Sequence, residues 1–211
     1  TTIRDGRDAI SQLDIENALT EQIVGVANPI SEFDPEQREQ VATHEAGHAL
    51  VSRILLPTMR ITSLSIIRRG RGILGFMRDV SPEELYAMRV ARLCARIQVS
   101  WAGDIACEVI MGERWMGGAG DFQHVGTMMT VLAQHGVFAD KLPLDPMDAF
   151  ADEEIQKAAD NYSARMKAGT RGLITKYQEV TEALRDGLLE HGELNSKQIL
   201  DTFDAHGLAK S

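Results

Sequence analysis

The chain of 211 residues is 44% hydrophobic and 25% charged, the balance of a soluble globular protein long enough to bury a real core. A formal net charge of −9 argues against a phosphate-backbone partner, which needs a positive face. Aromatics at 5% beside nine methionines point to an aliphatic, helical core rather than a β-sandwich. Cys94 and Cys107 fall in helical pattern and read as reduced core thiols of an intracellular protein, not as a disulfide. No run approaches the ~18 consecutive apolar residues of a membrane span, and no signal peptide is visible. The opening Thr1-Thr2 suggests a piece of something longer.

In chain order, Leu13, Ile15, Leu19, Ile23 and Val24 form a helical stripe within residues 11–25. A proline-containing linker follows. Asp34, Pro35 and Glu36 then make a start signal of N-cap, proline at the first helical position and acid in the first turn. The spacing predicts a helix from 35 to Leu56, ended by Pro57. "ITSLSII" (61–67) alternates as a strand, and "ILGFMRDV" (73–80) is its expected hairpin partner through "RRGRG". Ser81-Pro82-Glu83-Glu84 reads as a capping box opening a helix to about Met111, with Gly103 as a break. After the "MGGAG" loop (116–120), a helix should run from Asp121 to about His135. From Asp152 to Glu190 apolar residues recur at threes and fours, predicting one long helix weakened at Gly169 and Gly172. A short helix closes the chain after Asn195.

The stretch "HEAGH" (44–48) carries the chemistry. Residues four apart lie on one helix face, so His44 and His48 present two imidazoles to one point. Zn²⁺ favours tetrahedral N, O and S donors. Glu45 is rotated by about 100° from His44 and reaches a metal-held water instead, the place of a general base. A catalytic zinc needs a third protein ligand, and "ALVSRIL" after His48 offers none. Asp121, just after a glycine-rich stretch, is the first choice; a plain N-cap explains it equally well locally. Glu108 and His124 compete, Glu108 also as a partner to a ligand histidine. His135, His191 and His206 read as helix-end or surface histidines.

From about residue 8 onward these segments resemble the peptidase domain of the FtsH family of membrane-bound, ATP-dependent zinc proteases. "HEAGHALV" is similar to the family's metal-binding helix and "ITSLSIIRRGRGILGFM" to its strand pair. "WAGDIACEVIMG" resembles its Gly-Arg-x-Ala-Glu-Glu helix, and "GGAGDFQHVGT" the segment bearing an aspartate ligand. The resemblance implies a mainly α fold, a helical zinc-peptidase domain with one small β-hairpin or sheet. It implies residues 1–30 as the end of an ATPase lid plus linker, and 31–211 as the peptidase. It assigns His44, His48 and Asp121 to one Zn²⁺ per chain and Glu45 to the base. Ile73, Leu74, Gly75, Phe76 and Met77 become an edge strand that receives extended substrate by backbone pairing. Two positions depart from the pattern: Asp104 stands at its arginine and Cys107 at its first glutamate. The stretch from Asp121 to Thr127 is also one residue longer than usual, which keeps Glu108 and His124 as alternatives.

The implied activity is endopeptidase action on unfolded or damaged proteins within a homo-hexamer. ATP would act only through an upstream domain. The implied location is the cytoplasmic face of an inner membrane or its organelle equivalent. The alternative is a catalytically silent scaffold or chaperone subunit. "GRGILG" (70–75) matches G-x-G-x-x-G in letters but precedes strand pattern rather than opening a helix, so no dinucleotide site is expected. Arg68, Arg69 and Arg71 read as a solvated turn, with no nucleic-acid partner. Met88, Met111, Met116, Met128 and Met129 read as core filling.

Overall fold

A computed structural model describes residues 6, 8–28, 33–70, 73–81, 88–115, 118–138 and 149–208. Its elements are α1 (Gln12–Val24), α2 (Pro35–Leu55), β1 (Arg60–Ser65), β2 (Phe76–Val80) and α3 (Val90–Ile110). They continue as α4 (Ala119–Gln134), α5 (Glu153–Lys176), α6 (Gln178–His191), β3 (Glu193–Asn195) and α7 (Ser196–Ala205). The mainly helical class with a small antiparallel sheet is as expected.

Helix α2 is built as its sequence dictates. The Asp34 carboxylate accepts from the Gln37 amide at 3.0 Å, Pro35 opens the helix, and the helix stops two residues before Pro57. Residues Val41 to Ser52 are buried without interruption, so α2 is the central rod, flanked by α3 on one side and α6 on another. Gly47 makes the α2–α3 approach possible. A Cβ there would stand 2.6 Å from the Ala102 carbonyl oxygen and from the Ala106 methyl. The core around this crossing is aliphatic, with Leu50, Ile97, Ile174, Leu184, Leu188 and Phe203 fully buried.

The sheet has the order β2-β1-β3, antiparallel throughout. Leu64 pairs with Met77 on one side and with Leu194 on the other. The β1–β2 ladder shifts register between Ile61 and Ser63, and the intervening Thr62 hydroxyl donates to the Arg78 carbonyl at 3.2 Å. Among the described residues, no strand pairs with the outer edge of β2.

Several expectations need correction. Helix α3 begins at Val90, after an extended Arg89, so it does not run from the Ser81 signal; residues 82–87 lie outside the described residues. Gly103 does not break it. The long 152–190 helix is two helices that part at Tyr177. They part because α5 packs on α3 whereas α6 packs on α2. The second strand starts at Phe76 rather than Ile73. Arg69 is no solvated turn residue: it is buried, paired with Glu193 at 2.9 Å and stacked 5.5 Å from the Phe76 ring centre. Met88 is exposed, whereas Met129 is core; Met116 and Arg71 lie outside the described residues. Both cysteines are free and buried.

Candidate metal centre

The two histidines of α2 lie in its most buried stretch, His44 at 8% and His48 at 6% exposure, with Glu45 at 7% between them. Buried polar side chains at helix spacing need partners. Asp121 supplies one from the first turn of α4, where Gly118 rather than Asp121 is the cap. Its Oδ2 is 3.1 Å from His44 Nε2 and 3.4 Å from His48 Nε2. The two Nε2 atoms are 3.0 Å apart. A tetrahedral zinc with ligands at about 2.0–2.1 Å holds its donors about 3.3 Å apart. The trio therefore fits such an ion in donor type, number and spacing. It is a group of histidine and acidic side chains, among the described residues, that converges closely enough to hold a metal.

Each group behind the trio has a physical reason to be there. His48 Nδ1 is 2.7 Å from the Val99 carbonyl, which fixes Nε2 toward the centre. His44 lies against Gly103 of α3, where a Cβ would come within 2.4–2.6 Å of the imidazole. The glycine in mid-helix thus makes room for a ring.

Charge is strongly coupled here. Burial works against the His48 cation, but the Asp121 carboxylate, Glu45 and the Val99 carbonyl outweigh it and push His48 up to about 9. Burial also opposes the Asp121 carboxylate, yet hydrogen bonds from His44 and His48 hold it well below the usual range. Burial pushes Glu45 above the ordinary carboxylate value, with the two imidazoles pulling back. A raised carboxylate in a cleft is suited to taking and returning a proton.

His48 and Asp121 of the trio open on a cleft of about 500 Å³, with His44 behind them. Glu45, His48 and Asp121 form its polar end. Gly75, Phe76 and Met77 wall it from the sheet side, and Val99, Met128 and Leu56 make it apolar. Gly75 passes close by α2: a Cβ would stand 2.6 Å from Val41 Cγ1 and 2.9 Å from Glu45 Oε1. Ile73 instead bridges to Arg69, and Leu74 borders a separate depression with Val41 and Trp115. His124 lines the cleft but stays outside the trio. Glu108 points elsewhere and pairs with Arg171 at 2.7 Å on the surface. Cys107 keeps its proton, its thiol pushed up to about 12 by burial.

Sequence reasoning passed over Arg96, Val99 and Ser100, which also line the cleft. Their i, i+3, i+4 spacing on α3 was the available signal.

Residues 31–202 match the description "Peptidase family M41". The chain belongs to peptidase family M41. It is 27% identical to the ATP-dependent zinc metalloprotease FtsH of Rhodothermus marinus, over 94% of this chain and 31% of that protein. It is 30% identical to the FtsH of Syntrophobacter fumaroxidans, over 83% of this chain and 28% of that protein. The Thermotoga maritima FtsH is 28% identical over 86% of this chain and 31% of its own length. The chain thus spans under a third of the length of each of these relatives. No helix among the described residues is long and apolar enough to cross a membrane.

Proposed function

We propose that this M41 chain is a zinc-dependent endopeptidase, with His44, His48 and Asp121 as the metal ligands and Glu45 as general base. The observation that carries the reading is the convergence of two Nε2 atoms and one carboxylate oxygen at 3.0–3.4 Å, with His48, Asp121 and the buried Glu45 lining one cleft. Zinc bound there supplies Lewis acidity and a water acidified toward pKa ~7. Glu45 would take the proton of the attacking water and hand it to the leaving amine. Burial, which raises Glu45, favours this two-way traffic. An extended substrate adds to the free edge of β2 by backbone pairing at Phe76 and Met77, with Ile73 to Gly75 as its approach. Such pairing reads little sequence, which suits unfolded or damaged polypeptides.

The relatives named as ATP-dependent suggest the wider setting. In it, residues 1–30 end an ATPase lid and 31–211 form the peptidase of a homo-hexamer. The ATPase sits upstream in the full-length protein, at the cytoplasmic face of an inner membrane or its organelle equivalent.

The test is digestion of an unfolded protein. The parent should cut, a chelator should stop it and zinc should restore it. Glu45→Gln should retain zinc and lose at least ~10²-fold in rate. A parent that loads zinc and assembles, yet cuts nothing, overturns the peptidase reading in favour of a silent scaffold.

A further inference from the structure

The imidazoles of the centre converge through Nε2, which leaves each ring an Nδ1 to be held from behind. A metal-ligating histidine nearly always donates that second N–H to a carboxylate, a carbonyl or water, and the bond fixes tautomer and ring direction. For His48 the acceptor is the Val99 carbonyl at 2.7 Å. Among the described residues His44 Nδ1 is buried without a hydrogen-bond partner. The carboxylate facing it is Asp104, whose Oδ1 is 3.8 Å away and whose side chain is only 14% exposed. Asp104 follows Gly103, the residue against which the His44 ring lies. The start of α4 closes over both groups. A Cβ on Gly118 would stand 3.0 Å from Asp104 Oδ1 and 3.4 Å from His44 Cε1. Among the described residues Asp104 makes no hydrogen bond and no other ion pair.

Resting on the zinc-centre reading above, we infer that Asp104 is the positioning residue of His44: its Oδ1 accepts the Nδ1–H and aims Nε2 at a divalent cation. About 1 Å of side-chain closure turns the 3.8 Å approach into a hydrogen bond of ordinary length, about 2.8–3.0 Å. The pattern this helix resembles has arginine at the position. Arginine has no acceptor, so the arrangement belongs to this chain and not to that pattern. A buried imidazole with no acceptor behind it would leave one ligand of the centre free to tilt.

The experiment measures Zn²⁺ affinity by competition with a chelating dye. It compares the parent, Asp104→Ala, Asp104→Asn and Glu108→Gln, with far-UV circular dichroism as the fold control. Asp104→Ala should bind zinc ~10–100-fold more weakly. Asp104→Asn, whose amide oxygen still accepts, should lose less. Glu108→Gln removes a charge from the same helix without touching His44 and should match the parent. Ring-nitrogen NMR of the zinc-loaded parent should show a protected His44 Nδ1–H, absent from Asp104→Ala. Equal affinity of the parent and both Asp104 variants overturns the assignment, as does an equal loss in Glu108→Gln. If Asp104→Ala fails to fold, the smaller Asn loss and its NMR signal decide. A parent that binds no zinc overturns the metal centre and this inference together. A parent that binds zinc but cuts nothing overturns the peptidase reading alone.

Discussion

His48 is held with its proton favoured, to about 9, by the carboxylate it shares with His44. A folded value above the unfolded ~6.5 stabilises the metal-free fold fully below pH ~6.5 and loses that contribution as pH rises through about 9. Glu45, also raised, has the same sign, and depressed Asp121 has already contributed fully above pH ~4. The thermal midpoint of chelator-treated protein should therefore fall between pH 6.5 and 9. Zinc bound through His48 would have to displace its proton, so the apparent affinity should rise by up to ~10-fold per pH unit over the same window. Titration calorimetry in buffers of different ionisation enthalpy would count the released proton. Gly103→Ala drives a methyl into the His44 ring; zinc affinity should drop at least ~10-fold, read by the same dye competition. Of these residues, the clustering of His44, Glu45 and His48 on one helix was legible from the "HEAGH" spacing alone. Asp121 was the first choice over Glu108 and His124 but was not fixed locally, because nothing in the sequence separates a metal-facing aspartate from a helix cap; the fold brings it to the two imidazoles.

Among the elements, α2 was legible nearly to the residue, because its cap, its opening proline and its closing Pro57 are chemical punctuation. The parting of α5 from α6 carries no proline or glycine, and apolar periodicity continues across it. Only the change of packing partner, from α3 to α2, reveals it. Strand β3 is three residues long, too short for alternation to register, and its pairing with β1 is distant in sequence. The α2–α3 crossing is the element contact on which the site depends. Gly47→Ala has to push Ala102 and Ala106 away and should cost about 1–3 kcal/mol, measured as a lowered urea midpoint with unchanged slope. If Gly47→Ala folds with parental stability, the crossing is looser than the 2.6 Å approach implies.

For the whole molecule, the candidate ligands join α2 to α4, two helices that otherwise meet through α3. Zinc that binds only the folded chain stabilises it by linkage, about 2.7 kcal/mol at a hundredfold excess over Kd. Chelation should lower the melting temperature of the parent and leave that of His48→Ala nearly unmoved, as followed by scanning calorimetry. Helix α1 shows Ile15, Leu19 and Ile23 exposed at helical spacing. The helix was legible as a stripe, but its lack of a covering partner among the described residues was not.

The outer edge of β2, which no strand covers among the described residues, has a consequence for handling the protein. Unpaired backbone recognises any extended chain, including a second copy of itself. Arg78 and Asp79, adjacent on that strand, are the kind of charges that blunt such templating. Crowded preparations should therefore be kept soluble by those two side chains, and an added extended peptide should act as a solubiliser.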